Sequence, residues 1–133
     1  MTDTSRHNSH PTVVVAEDHE DSRFLFKTFL ESKGCRVVEA ADGLEAVAAV
    51  ERERPDLVLM DVSLPGLDGL SATRRLRAQE SLRALPVVLI SGHAEERDRD
   101  RAVAAGCSEY LTKPLELRQL DGVLERHVRM RAV

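Results

Sequence analysis

Five short apolar runs separated by longer stretches of helical pattern constrain this chain more than any other feature. The runs are Thr12–Ala16, Cys35–Ala40, Leu57–Met60, Val87–Ile90 and Cys107–Leu111. Apolar spacing predicts helices over 20–33, 43–53, 68–80, 94–105 and 115–129. Punctuation agrees with this reading. Gly34 and Gly106 stand where helix C-terminal caps belong, and Asp42 with Glu45 has capping-box spacing. Pro55 follows the second helix, and Pro114 stands where the last is predicted to begin. In that last helix Leu117, Leu120, Leu124 and Val128 share one face. Strands that alternate with helices imply right-handed crossovers and a parallel sheet.

The runs also report their order. "VVVA", "LVLM" and "VVLI" are apolar on both faces, so strands 1, 3 and 4 are central. "CRVVEA" and "CSEYL" mix charged or polar residues with apolar ones, so strands 2 and 5 are edges. The prediction is an α/β fold: a doubly wound, flavodoxin-like, five-stranded parallel sheet of order 2-1-3-4-5, with five helices on its two faces. The other common order, 3-2-1-4-5, would expose the apolar strand 3 and is rejected.

One domain over 12–129, with tails at 1–11 and 130–133, suits a chain of 133 residues. The net charge of −4 argues against a nucleic-acid surface. No apolar run approaches a membrane span, and the polar start MTDTSRHNSHP lacks the apolar stretch of a signal peptide. Two separate cysteines, Cys35 and Cys107, read as buried thiols. The cytoplasm is the expected compartment.

In such a sheet the site lies beyond the carboxyl ends of the strands, at the switch point between strands 1 and 3. Strand 1 runs into Glu17 and Asp18, strand 3 into Asp61, strand 4 into Ser91, and strand 5 ends near Lys113. Taken singly, each has an ordinary reading: Asp18 or Asp61 as a helix cap, Ser91 as a turn former, Lys113 as a solvated loop residue. Together they bring three carboxylates to one edge, and such a group takes up protons or binds a cation. No His or Cys is read at ligand spacing, so an oxygen-only donor set favours Mg²⁺ or Mn²⁺. A carboxylate beside such a metal can attack phosphorus and form an acyl phosphate. Asp61 therefore reads as a nucleophile rather than a cap. Lys113 supplies positive charge for the transferred group, and Ser91 a hydrogen bond. His19 and His93 read as exposed loop residues. "EERDRDR" reads as a solvated helix face laced with pairs such as Glu95–Arg99.

The stretches "VVVAEDHEDSR", "LVLMDVSLPGLDG", "VVLISGHA" and "YLTKPL" occur in an order and at a spacing that resemble the response-regulator receiver domains of two-component signalling. The resemblance covers Thr12 to about Val128. It implies that Asp61 is the phosphoacceptor for a histidine kinase's phosphohistidine or for a phosphotransfer protein. It implies Mg²⁺ bound by Asp18, Asp61 and the backbone carbonyl of Ser63, with Glu17 acting through water. Lys113 would pair with Asp61 and then with the phosphoryl group, and the Lys113–Pro114 bond would be cis. Ser91 and Tyr110 would form a conformational switch read out on the face of helix 4, strand 5 and helix 5. Such a domain is a regulatory switch, with self-catalysed phosphoryl transfer and aspartyl-phosphate hydrolysis as its only chemistry. The implied partners are a kinase and an unidentified downstream protein target, with a homodimer left open. Departures are Glu-Asp as the acidic pair, Ser for the frequent Thr at 91, and Ser63 and His93 at positions that tune phosphoryl lifetime in the family.

Rival readings fit less well. A phosphatase of the haloacid dehalogenase type needs a second Asp two residues after the nucleophile, where this chain has Ser63. A flavin or nucleotide carrier needs a phosphate loop after strand 1, where this chain has "EDHEDS". A phosphate-independent receiver is disfavoured by the full set Asp18, Asp61, Ser91 and Lys113. Both a stand-alone regulator and a receiver segment of a hybrid kinase or multidomain regulator are compatible with the chain. Helix 4, with few apolar residues, is expected to be mobile.

Overall fold

Val13, Val14, Val15, Leu57, Val58, Leu59, Met60 and Val87 to Ile90 are almost fully excluded from solvent, which places three strands inside a sheet covered on both faces. The computed structural model describes residues 10–92 and 95–128. In chain order the elements are β1 (Thr12–Ala16), α1 (Glu20–Ser32), β2 (Arg36–Ala40), α2 (Gly43–Glu53), β3 (Leu57–Asp61), α3 (Gly69–Arg77), a 3₁₀ turn (Glu80–Leu82), β4 (Val87–Ser91), α4 (Glu96–Ala105), β5 (Glu109–Thr112) and α5 (Leu117–His127). All strand pairs are parallel and the order is β2-β1-β3-β4-β5, as expected.

Alternate residues of each strand feed two cores. Val14, Ala16, Val58, Met60 and Leu89 pack with Ala46 and Val50 of α2, Leu76 of α3 and Ala102 of α4. Val13, Val15, Leu57, Leu59 and Ile90 pack with Phe26 and Leu30 of α1 and Leu120, Val123 and Leu124 of α5. Each such leucine contributes about 1.5–3 kcal/mol by leaving water.

The structure corrects several boundaries. Strands β2 and β5 begin at Arg36 and Glu109, not at the cysteines. The reason is that both cysteines finish the preceding helices. Gly34 (φ +92°) and Gly106 (φ +102°) adopt the left-handed conformation. Cys35 N–H then donates to Leu30 O and Cys107 N–H to Ala102 O, the long bond of a Schellman cap. Cys35 is buried, Cys107 partly so, both are free, and burial pushes both thiols up. Helix α5 starts at Leu117 rather than Pro114, with Glu116 and Gln119 forming a reciprocal capping box. Leu117, in the first turn, is 37% exposed, and Val123 takes its expected place in the core. The Asp42 cap accepts from Glu45 N–H, while Glu45 reaches back to Ala41 N–H, one residue earlier than a capping box predicts. Glu95 pairs with Arg97, not Arg99.

Most of the expected tails lies outside the described residues. Of the N-terminal tail, Pro11 is buried and its carbonyl accepts from Arg36 N–H, extending the β1–β2 ladder.

Candidate functional site

Parallel strands deliver their last residues to one edge, and the β1/β3 crossover reversal opens a cleft there. Asp61, the last residue of β3, is 3% exposed. It does not cap α3. Asp68 does so, its Oδ1 accepting from Ser71 N–H at 2.8 Å. That leaves Asp61 Oδ1 to accept from Ser63 N–H at 2.8 Å and Oδ2 to accept from Lys113 Nζ at 2.6 Å. Glu17, one residue beyond β1, is 2% exposed. Its backbone N–H donates to Ala40 O, which holds it in line with the sheet. Its Oε2 accepts from His19 N–H at 3.0 Å, and its Oε1 lies 3.7 Å from Lys113 Nζ. Asp18 is the exposed member of the acidic group.

Lys113 bridges two carboxylates from different strands. Burial pulls its pKa down, but the bond to and charge of Asp61, then Glu17, outweigh this, and the net shift is upward. Burial pushes the Glu17 carboxyl up, and the charge of Asp61 adds to this against the His19 backbone bond. Lys113 N–H also donates to Ser91 O at 2.8 Å, which locks the β4 end to the β5 end. Ser91 itself is 2% exposed, and the Lys113–Pro114 bond is cis as the resemblance implied.

Two clefts flank the carboxylates. One, of about 460 Å³, is lined by Ser63 and Ser91 with Tyr110, Asp98 and Arg101 beyond them. The other, of about 490 Å³, is lined by Glu17, Leu25, Lys113, Pro114 and Leu115. Tyr110 is 7% exposed, its ring packed with the core beneath α2, α3 and α4. The Arg99 guanidinium lies 5.0 Å from its ring centroid and donates to Tyr110 O at 3.3 Å.

Every sequence-predicted site residue thus reaches this edge: Glu17, Asp18, Asp61, Ser63, Ser91, Lys113 and, behind Ser91, Tyr110. The donor set suits a divalent cation, since Lys113 reaches the carboxylates of Asp61 and Glu17 and Asp18 adds a third at the same edge. His19 is exposed as expected, yet its Nδ1 lies 3.2 Å from Glu17 and 3.4 Å from Asp18, and these three residues form a possible cation-binding group. His93 lies outside the described residues.

Two glycines, Gly43 and Gly69, shape this edge. A Cβ on Gly43 would stand 1.7 Å from Leu67 O, and one on Gly69 would stand 2.4 Å from Asp61 O. The loop carrying Ser63 therefore sits against the bare first residues of α2 and α3. Only the tertiary packing reveals that requirement.

Residues 13–125 match the model of the response regulator receiver domain family. The chain is 41% identical over 117 residues to the sensor protein GacS of Pseudomonas syringae pv. syringae, covering 86% of this chain but only 13% of that protein. It is 35% identical over 106 residues to the polar-differentiation response regulator DivK of Brucella anthropi, covering 80% of this chain and 86% of that one. The receiver domain of the Pseudomonas aeruginosa sensor histidine kinase PA1611, solved with magnesium coordinated in its active-site cleft, superposes with a TM-score of 0.82. It is 39% identical, with 89% of this chain and 97% of that one covered. Among the described residues no helix is long and apolar enough to cross a membrane.

Proposed function

The chain belongs to the response-regulator receiver domain family, and from that premise we propose that it is a phosphorylation-driven switch whose acceptor is Asp61. The observation that carries this reading is the buried Asp61 carboxylate held between Lys113 Nζ and Ser63 N–H, at the strand edge where Glu17 and Asp18 also converge. One Asp61 oxygen attacks the phosphorus of a phosphohistidine from a kinase or phosphotransfer protein. The O–P bond forms, the N–P bond breaks, and the leaving imidazole keeps the electron pair.

Asp18, Asp61 and the Ser63 carbonyl would hold Mg²⁺, with Glu17 acting through water; Mn²⁺ fits the same donors. The cation, when bound, supplies positive charge that screens phosphoryl oxygens from the carboxylates. Lys113 then exchanges its Asp61 partner for a phosphoryl oxygen, and the Ser91 hydroxyl donates to another. Tyr110 follows Ser91, and the change is read by a partner protein on the α4–β5–α5 face. Hydrolysis of the acyl phosphate resets the switch. A cytoplasmic location, and a place either as a single-domain regulator or within a hybrid kinase, fit this reading; the chain covers 86% of the response regulator DivK and 13% of the sensor protein GacS.

The test is intact mass after incubation with Mg²⁺ and acetyl phosphate, with Asp61→Asn alongside. The expected result is a gain of one phosphoryl group, labile to hydroxylamine and absent from the variant. No gain in a protein shown separately to bind Mg²⁺, or equal gain in Asp61→Asn, overturns Asp61 as the acceptor.

A further inference from the structure

The proposed function, on which this inference rests, brings a divalent cation to oxygen donors only. His19 departs from that set. It occupies the N-cap of α1 without making a side-chain cap bond, and its ring is 74% exposed. Its Nδ1 nevertheless turns back to the cleft, 3.2 Å from Glu17 Oε2 and 3.4 Å from Asp18 Oδ1. Glu17 Oε2 already accepts the His19 backbone N–H at 3.0 Å, so this oxygen is not short of a donor. The ring contact with Glu17 is itself within hydrogen-bond range, whereas the contact with Asp18 is longer than an ordinary hydrogen bond. The distance to Asp18, the direct ligand of this pair, approaches the spacing of neighbouring ligands in an octahedral shell, which stand about 3 Å apart for metal–donor distances of about 2.1 Å. The three donor atoms all lie within 4.8 Å of one another.

We infer that His19 lends an imidazole nitrogen to the cation site, and that this makes the site favour first-row transition cations such as Mn²⁺ over Mg²⁺. The physical reason is ligand chemistry. Mg²⁺ gains little from exchanging a water for imidazole, whereas an imidazole nitrogen strengthens Mn²⁺ binding. Placement is the other half. The His19 backbone N–H and its ring Nδ1 both reach Glu17 Oε2, which turns the ring toward the acidic pair. The lysine ammonium lies against the other carboxylate oxygen of Glu17, Oε1, and so does not compete with the His19 ring.

Calorimetric titrations with Mg²⁺ and with Mn²⁺ test this on the full chain, its His19→Gln variant and its Asp18→Asn variant. Pulsed electron paramagnetic resonance of the Mn²⁺-loaded forms supplies the direct reading. The expected result is ¹⁴N modulation in the unmodified protein that disappears in His19→Gln, with Mn²⁺ affinity falling about tenfold and Mg²⁺ affinity changing less than twofold. Binding of both cations that depends on Asp18 but shows no ¹⁴N modulation, or modulation that survives His19→Gln, overturns the role of His19 and leaves the cation site standing. Failure of either cation to bind, or binding unaffected by Asp18→Asn, overturns the cation site and this inference together.

Discussion

Replacing Gly69 by alanine pits the packing of the phosphoacceptor strand against helix propensity. A Cβ there would stand 2.4 Å from Asp61 O and 2.9 Å from Val62 Cα. Ordinary contact begins near 3.4 Å, so something must move by about 1 Å. β3 cannot yield readily, because Asp61 is registered against Ile90 and Val62 N–H donates to Ile90 O at 2.9 Å. The helix must shift instead, with its buried Leu70, Ala72, Thr73 and Leu76. Overpacking of this kind costs about 1–3 kcal/mol, and loss of the Gly69 N–H bond to Val62 O adds about 1 kcal/mol. Alanine's helix preference over glycine offsets at most about 1 kcal/mol. The net is a loss of about 1–3 kcal/mol, or roughly 4–12 °C in Tm for a chain of this size. Urea and thermal unfolding followed by circular dichroism measure it, and phosphate uptake from acetyl phosphate should slow as the Ser63 loop is displaced. Gly92→Ala, where an added Cβ meets nothing within 4 Å, is the control and should stay within about 0.5 kcal/mol. If Gly69→Ala matches the unmodified protein in both stability and phosphate uptake, the close approach of α3 to Asp61 does not constrain the site as argued.

Three further outcomes are expected. Glu17 has a folded pKa raised above 4.5, chiefly by burial, so its favourable protonated form is fully present below pH 4.5 and is lost as pH climbs through the folded value. Glu17→Gln should therefore gain stability relative to the unmodified protein across that window and then level off; urea midpoints from pH 4 to 8 in chelator would show a pH-independent difference if the reasoning fails. Lys113→Met leaves Asp61 and Glu17 buried without their ammonium, and should cost about 1–2 kcal/mol at pH 7, a figure held down because Lys113 is 35% exposed; denaturant unfolding decides, and a more stable variant would refute the pairing. In α4 only Ala102 and Ala105 are buried, so amides of 96–105 should exchange faster than those of α2, and faster still in Arg99→Ala, which loses the contact with Tyr110. Uniformly slow exchange through 96–105 would contradict this.

The apolar runs and their flanking residues specified the strand order. Val13 to Ala16, Leu57 to Met60 and Val87 to Ile90 have no polar face, so each needed cover on both sides, and only a central place supplies it. Once that order held, the carboxyl ends of β1, β3, β4 and β5 had to share an edge, and Glu17, Asp18, Asp61, Ser91 and Lys113 came with them. Periodicity and chain direction are local properties, which is why they could be read before any contact was known.

What the tertiary structure alone decided depends on side chains meeting across long stretches of chain. Read singly, Asp61 had a place as a helix cap; in the fold Asp68 caps α3, and Asp61 is engaged instead by Lys113, 52 residues away. Arg99 left its expected partner Glu95 because Tyr110 of β5 offers a ring and a carbonyl. The bare faces of Gly43 and Gly69 matter only because Leu67 and Asp61 press against them. His19, one residue past the acidic pair, was within reach by number, but the direction of its ring depends on how α1 leaves β1. Composition and spacing set which groups are present and on which edge; the packing of helices against the sheet sets which of them touch.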